Sequence, residues 1–230
     1  MSTFIQNIQV IEVDINHKKQ FMLLAQFQED YCSDLLMKKN QFELPSNFEK
    51  LTTSRKAEFL AGRHLADCAL KKLGNSLSQI LLHKKGYPIW PTGFSGSISH
   101  KHSDVVTWVI EQNNVAVGID IEHWLQEERA QLIYKKILTP QEYTPPESLS
   151  FAEWVTFIFS AKEAFYKALN PVTNKFFGFQ DAAIIQLDWQ QNTYQIQLNK
   201  TLNQEHTEGT IYNGKIHPLK HGLITYQFIQ

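Results

Sequence analysis

The chain has 230 residues, of which 43% are hydrophobic and 20% charged, and its formal net charge is −1. This composition can bury a sizeable core and excludes a disordered chain, and the near-neutral charge gives no general reason to bind nucleic acid or an anionic membrane. No apolar run reaches the roughly 20 residues of a membrane span, and no signal peptide is visible. We therefore expect a cytoplasmic protein with no transmembrane segment and no nucleic-acid partner.

The first part of the chain predicts strands and one long helix. Residues 4–14 and 79–83 alternate loosely, as strands do. Thr52-Thr53-Ser54 offers N-cap side chains to a helix that Gly74 ends. Gly62 inside this helix costs about 1 kcal/mol relative to alanine, which indicates a close backbone contact there. The two cysteines, Cys32 and Cys68, lack the spacing of a zinc site, so we expect both to be free.

The middle of the chain predicts a β-hairpin with two acids on one face. Strands at 105–110 and 115–121 flank a polar turn centred on Asn113-Asn114, which would pair residues 105–107 with 120–122. Asp120 and Glu122 would then share a strand face, about 7 Å apart at their Cα atoms, with Gly118 leaving room beside them for a pyrophosphate. The alternative is a solvated outer face that carries two acids.

A Gly- and Ser-rich segment precedes the first of these strands and contains Ser99 and His100. The hairpin would place it at the end where the carboxylates lie, as a loop whose backbone N–H groups could bind an anion. A single histidine can equally be structural.

A second long helix is predicted at 151–169, after a short helix at 126–138 and a proline-rich surface connection, and Asn170-Pro171 should stop it. At 100° per residue its apolar residues form one stripe, with Glu163 and Lys167 on the far side and Lys162 at the edge. These charges could be a surface i,i+4 pair and a lysine whose stem lies along the core. Alternatively, Glu163 completes a three-carboxylate Mg²⁺ site and Lys167 meets a phosphate.

The remaining alternating segments, 181–189, 193–198 and 222–229, predict strands, so the fold class is α+β rather than βαβ. Four further cations could serve a ligand with several phosphates. Arg55 and Arg63 bracket the first helix, and Lys84 and Lys85 precede the Gly-Tyr-Pro turn. Their alternative is surface charge, with Arg63 and Asp67 as an ordinary i,i+4 pair.

An ordered set of motifs resembles one family, the 4′-phosphopantetheinyl transferases, in the enterobactin-synthase-associated, surfactin-type, two-lobe bacterial subgroup. The matching segments span more than half of the chain. They are RKAEFLAGR (55–63), GYPIWPTGFSGSISH (86–100), VGIDIE (117–122), ILTPQE (137–142), FSAKEAFYKAL (159–169) and FFGFQDAAI (176–184).

The resemblance implies two pseudo-symmetric α+β lobes, each a small sheet with a long helix, and an active site in the cleft between them. Residues 1–115 would contact the phosphates of coenzyme A, and residues 116–230 would hold the metal. The reaction implied is transfer of the 4′-phosphopantetheine arm of coenzyme A, the cosubstrate, to a serine of an apo acyl, peptidyl or aryl carrier protein. Adenosine 3′,5′-bisphosphate would be released, and siderophore or other nonribosomal peptide synthesis would be served.

Carried over by position, the resemblance assigns a role to each residue of the site. Mg²⁺ would be bound by Asp120, Glu122 and Glu163, and Lys167 would contact the reacting phosphates. Coenzyme A would be bound by Arg55, Arg63, Lys84, Lys85, Ser99, His100 and Lys162. Either Glu163 or a metal-bound water would accept the serine proton. We expect a monomer.

Two departures from the family pattern are visible. Tyr87 stands where surfactin-type members often carry lysine, so Lys84 or Lys85 would replace that phosphate contact, and Phe159 stands where tryptophan is frequent. Two functions of other classes stay open: a Mg²⁺-dependent phosphohydrolase or nuclease, and a non-catalytic binder of coenzyme A or of a carrier protein.

Overall fold

The computed structural model describes residues 4–15, 17–31, 42–75, 79–112 and 114–230. The chain divides into an N-terminal unit, Met1–Val115, and a C-terminal unit, Ala116–Gln230. Cys32 and Asn113, for which the sequence predicts a free thiol and a turn, lie outside the described residues. Cys68 is a free, partly buried thiol. No helix in the described part of the chain is long and apolar enough to cross a membrane.

The N-terminal unit is an antiparallel four-stranded sheet, in the order β1-β2-β6-β5, with one long helix against it. Val105 and Val109 of the sheet join Leu60 and Leu65 of the helix in a single apolar core. Its elements are β1 Ile5–Ile15, β2 Lys18–Phe27, α1 Thr53–Lys72, the short hairpin β3 Leu81–Leu82 and β4 Pro88–Ile89, β5 Ser95–Lys101 and β6 Asp104–Ile110.

The predicted helix is confirmed as α1. The Thr52 hydroxyl accepts a hydrogen bond from the Arg55 N–H at 3.3 Å, and Gly74 follows the last turn with a φ of +87°. Gly62 does make a close contact, but with a side chain: a Cβ at Gly62 would lie 2.8 Å from a methyl carbon of Ile98 on β5. The small residue therefore lets α1 lie close to the sheet.

The predicted hairpin between residues 105–110 and 115–121 is wrong. Strand β6 pairs with β2 and with β5, so that His100 faces Val105 across the β5–β6 hairpin. The second strand, β7 (Ala116–His123), belongs to the other unit and pairs with the last strand of the chain. Ser99 and His100 therefore lie within a strand rather than a loop. Burial of one sheet face determines which strands pair, and the partners can be far apart in the sequence. A local turn pattern therefore does not predict them.

The C-terminal unit is an antiparallel five-stranded sheet, in the order β7-β11-β10-β9-β8, crossed by a long helix. A second helix packs on the long one. The elements are β7 Ala116–His123, α2 Glu127–Ile137, α3 Phe151–Thr173, β8 Ala182–Asp188, β9 Thr193–Leu198, β10 Ile211–Leu219 and β11 Gly222–Ile229. The predicted α+β fold class is confirmed, and β10 is a strand that the sequence did not predict.

Helix α3 is longer than predicted. It begins with a capping box in which the Ser150 hydroxyl accepts the Glu153 N–H and the Glu153 carboxylate accepts the Ser150 N–H. It continues through Pro171 and ends at Thr173, and Asn174 caps it with a φ of 54°. Proline lacks one N–H donor, but so near the helix end its loss removes a single hydrogen bond and the last turn persists.

Candidate active site

An ion pair joins the two elements that carry the predicted metal ligands. Asp120 on β7 is 4% exposed, and its Oδ1 accepts a hydrogen bond from Lys167 Nζ of α3 at 2.6 Å. The Lys167 side chain is 28% exposed. Lys167 thus reaches across to the strand, so its charge is not confined to a surface pair with Glu163 on the same helix.

Gly118 determines how closely α3 approaches β7. A Cβ at Gly118 would lie 1.8 Å from the carbonyl oxygen of Ala164 and 2.8 Å from the nitrogen of Ala168. The prediction that this glycine leaves room for a pyrophosphate is wrong, since helix backbone fills the space. The glycine instead lets the helix approach the strand closely, with Glu163 and Lys167 beside the crossing.

Glu163 is partly buried, near one carboxylate and one ammonium, in an environment that disfavours its ionised form. Burial raises the pKa of Glu163, the Lys167 ammonium acts to lower it, and the charge of Asp120 raises it again. The two carboxylates and the ammonium are therefore close enough to influence one another. Glu122, on the same strand face as Asp120, is 7% exposed. Carboxylate oxygens are the donors that Mg²⁺ prefers, so the donor chemistry fits this ion.

No group of three or more His, Cys, Asp or Glu side chains is arranged to hold a metal ion among the described residues. The three-carboxylate site of Asp120, Glu122 and Glu163 therefore stays a prediction. Its residues are carboxylates of the type that would hold Mg²⁺, and Lys167 donates to an oxygen of one of them, Asp120.

A pair of buried hydroxyls ties α3 to the sheet near Asp120. Thr225 on β11 lies opposite Asp120 in the strand register, and its hydroxyl is 2.9 Å from that of Ser160 on α3. Both residues are fully buried. Because hydroxyls both donate and accept, the pair satisfies two polar groups at the helix–sheet contact, three residues before Glu163.

Lys162, which is predicted to bind coenzyme A, has its ammonium occupied by protein groups, and its binding of coenzyme A stays a prediction. Its Nζ contacts Glu142 Oε2 at 2.7 Å, the Ile137 carbonyl at 2.8 Å and the Phe179 carbonyl at 2.9 Å. An ammonium has three N–H donors, and these partners use all of them. The side chain is 2% exposed, so Lys162 points into the unit.

Glu142, the partner of Lys162, has no role predicted from the sequence. It is 2% exposed although it follows a proline in a segment predicted as a surface connection. Thr139 and Glu142 have the spacing of a capping box, and the Glu142 carboxylate accepts hydrogen bonds from the Thr139 N–H and hydroxyl.

A mostly apolar cavity of about 200 Å³ opens beside Glu163 within the C-terminal unit. Tyr166 and the exposed Phe176 approach each other at its wall, with ring centroids 6.0 Å apart. The cavity is lined by Lys162, Glu163, Tyr166, Phe176, Phe177, Gly178, Phe179 and Ala182.

In the N-terminal unit, two of the predicted coenzyme A residues lie beside Glu58, an acid to which the sequence pattern assigns no role. Arg55 makes a 2.7 Å ion pair with Glu58, and His100 Nδ1 lies 3.7 Å from the same carboxylate. Ser99 is buried beside His100 on β5. The structure thus brings Arg55 and His100 to one acid, with the Arg55 side chain 64% exposed.

Arg63 lies deeper than expected for a phosphate ligand. It is 3% exposed, it donates to the carbonyls of Ile80 and Leu81, and burial lowers its pKa to about 10 although Glu43 acts to raise it. Asp67 does not pair with it, since Asp67 binds Lys71 at 2.6 Å. Phosphate binding by Arg63 stays a prediction.

The β3–β4 turn presents two exposed lysines, Lys84 and Lys85. His83 and Tyr87 stack at its base, with ring centroids 4.1 Å apart. Tyr87, which stands in place of the lysine common in surfactin-type members, thus has a packing role, and the charge at this turn comes from its neighbours.

Known proteins resemble the chain along most of its length. A model of the 4'-phosphopantetheinyl transferase superfamily matches residues 116–218, and a model of the 4'-phosphopantetheinyl transferase N-terminal domain matches residues 44–109. The 4'-phosphopantetheinyl transferase PptT of Mycobacterium tuberculosis is 37% identical over 133 residues, which are 56% of this chain and 58% of the relative.

Two further relatives agree. Enterobactin synthase component D of Salmonella typhi is 37% identical over 137 residues, 58% of this chain and 56% of the relative. The 4'-phosphopantetheinyl transferase Npt of Nocardia iowensis is 32% identical over 137 residues, 59% of this chain and 61% of the relative. The matches thus span less than two thirds of each relative. Since two domain models of one family match in order along the chain and these relatives agree with them, the chain belongs to the 4′-phosphopantetheinyl transferase family.

Proposed function

We propose that this protein transfers the 4′-phosphopantetheine arm of coenzyme A to a serine hydroxyl of an apo carrier protein and releases adenosine 3′,5′-bisphosphate. The observation that carries the proposal is the ion pair between Lys167 and Asp120, next to the partly buried Glu163. Two relatives are named as 4'-phosphopantetheinyl transferases, which supports the same activity.

The chain's own residues have distinct tasks in this reaction. A new P–O bond forms from the serine oxygen as the pyrophosphate bond breaks, and the Glu163 carboxylate accepts the serine proton. Lys167 is placed to move its ammonium from Asp120 to a phosphate oxygen and to offset charge on the departing bisphosphate. Mg²⁺, when held by Asp120, Glu122 and Glu163, would neutralise the pyrophosphate and orient it.

The cavity beside Glu163 suits the arm that is transferred. The pantetheine chain carries methyl and methylene groups between its amides, and such groups favour an apolar surface. Tyr166, Phe176 and Phe179 offer that surface adjacent to the proposed proton acceptor.

The phosphates of coenzyme A would be bound by cations of the N-terminal unit. Arg55 and His100 meet at Glu58, and Lys84 and Lys85 are exposed at the β3–β4 turn. Charged donors of this kind bind phosphate through strong hydrogen bonds. Arg63, with its nitrogens partly engaged by carbonyls, would be a secondary member of the set.

The carrier protein served is proposed to belong to siderophore or other nonribosomal peptide synthesis. Enterobactin synthase component D, one of the relatives, supports this choice. Dependence on Mg²⁺, a monomeric state and a cytoplasmic location complete the proposal as expectations.

The test is to incubate the full chain with coenzyme A, Mg²⁺ and a panel of apo carrier domains, and to look for an added phosphopantetheine by mass spectrometry. We expect a mass gain on at least one siderophore or peptide carrier and none without coenzyme A. Cleavage of coenzyme A without any carrier would favour a phosphohydrolase instead. Binding of coenzyme A without turnover on any carrier would favour a non-catalytic binder.

A further inference from the structure

The inward-pointing Lys162 is the centre of a buried network that the proposed reaction does not use. Its three donors bind Glu142, the Ile137 carbonyl and the Phe179 carbonyl at 2.7–2.9 Å. Each partner comes from a different segment: the turn after α2, the end of α2, and the loop before β8. The Lys162 side chain of α3 therefore binds three separate segments of the C-terminal unit.

Glu142 is as fully engaged as Lys162. Its Oε1 accepts the Ile184 N–H at 2.6 Å, and its Oε2 accepts the Thr139 N–H at 2.6 Å as well as the lysine. Its backbone carbonyl accepts the Trp154 indole N–H at 2.7 Å. A buried ion pair of this kind keeps its geometry because every donor and acceptor has a partner.

The network holds one wall of the cavity beside Glu163. One wall of the cavity is formed by residues 176–182. The network binds this wall through the Phe179 carbonyl, and it binds the Ile184 N–H two residues after the wall. Gln180 adds a third connection, because its Nε2 donates to the Leu138 carbonyl at 2.9 Å. The wall is thus fastened to the same helix, α3, that carries Glu163.

We propose that Lys162 and Glu142 are positioning residues that hold the 176–182 wall at the distance from Glu163 that the pantetheine arm requires. The identity of the ligand rests on the proposed function. The contacts that fix the wall do not depend on the proposed function, since they lie within the C-terminal unit and involve no ligand.

The decisive variants are Lys162→Met and the double change Lys162→Met with Glu142→Gln. The single change leaves a buried carboxylate without its cation, so we expect a marked loss of thermal stability. The double change removes that charge and should restore part of the stability, because the amide still leaves one backbone N–H and two carbonyls without their partners. It does not restore the bond to the Phe179 carbonyl, so we expect the KM for coenzyme A to stay raised about tenfold with kcat within about twofold of wild type.

Two companion variants make the result specific. Thr156→Val removes another buried polar contact of α3, the bond from the Leu125 N–H, at a residue that does not line the cavity. It should lower stability without changing the KM. Gln180→Ala changes an exposed residue, so it should fold, and we expect its KM to rise about two- to threefold because one wall connection is lost.

Amide hydrogen exchange tests the inference without relying on activity. In the double variant, exchange should accelerate in residues 176–182, while Thr156→Val leaves that segment at the wild-type rate. An active wild type with a double variant of unchanged KM would overturn the positioning role. If the wild type modifies no carrier, the proposed function fails, and the exchange rates alone decide: unchanged protection of the wall overturns the inference.

Discussion

Lys167 Nζ lies 2.6 Å from Asp120 Oδ1, so the ammonium of α3 neutralises a carboxylate of β7 that is 4% exposed. A bound cation would compete with this ammonium for the negative charge of the Asp120 carboxylate. The pair therefore places a protein charge where the proposed Mg²⁺ would bind, and binding of the ion should release Lys167 toward a phosphate.

The first prediction concerns Asp120. Asp120→Ala should lower transfer at least about 100-fold, because the proposed site loses a ligand and Lys167 loses its partner. The fold should persist, since Lys167 can reach water. Activity assays and thermal unfolding check both statements. The matched control is Asp67→Ala, which removes an ion pair of equal length on α1; full activity of Asp120→Ala with Mg²⁺ present would sink the metal assignment.

The second prediction separates two tasks of Lys167. Lys167→Gln should bind Mn²⁺ more tightly than wild type in the absence of coenzyme A, because the ammonium no longer competes for Asp120. Transfer should nevertheless fall about 100-fold, as expected when a charge that stabilises the reacting phosphates is lost. Calorimetry and steady-state kinetics measure the two effects. Equal metal affinity in both proteins would show that the pair does not compete with the ion.

The third prediction is a pH dependence of stability. Burial, with the charge of Asp120 adding to it, holds the pKa of Glu163 above its ordinary 4.5. Ionised Glu163 therefore lowers the free energy of unfolding. This loss is complete above the pKa of Glu163 in the folded protein, and it disappears as the pH falls below its pKa in the unfolded protein. Without metal, Glu163→Gln should raise the Tm at pH 7.5, and the gain should shrink toward pH 4.

Thermal scans of wild type and Glu163→Gln in a chelator measure this difference. Glu153→Gln is not a suitable control, because Glu153 caps α3; Glu147→Gln on the connecting segment is exposed and should leave the Tm unchanged at both pH values. A Tm gain for Glu163→Gln that is the same at both pH values would contradict the prediction.

The fourth prediction tests the close approach of α3 to β7. Gly118→Ala places a carbon 1.8 Å from the Ala164 carbonyl oxygen, so the helix must move, and we expect a loss of about 3 kcal/mol in the free energy of unfolding. Urea denaturation measures it. Gly178→Ala, whose added carbon meets nothing within 4 Å, should cost less than about 1 kcal/mol. Equal stability of the two variants would refute the packing role.

Local signals in the sequence predicted what depends on near neighbours. The Thr52 cap, the Gly74 end of α1 and the alternation of the last strands were all legible, because caps and strand faces are set by residues a few positions apart. The strands with which β6 and β7 pair could not be predicted from such local signals. Asp120 pairs with Thr225, about 100 residues further along the chain, whereas the polar residues between β6 and β7 favoured a hairpin between those two strands.

The sequence by itself determined the reactive residue types and their order along the chain: Asp120 and Glu122 on one strand, Glu163 and Lys167 one helical turn apart. The tertiary structure decided which partner each charge takes. Lys162 and Lys167 look equivalent in the sequence, five positions apart on one helix. They point to different sides of α3, so Lys162 is buried against Glu142 and Lys167 reaches Asp120. That division follows from the helix crossing at Gly118, where the lack of a side chain lets α3 lie close enough for the ion pair to form.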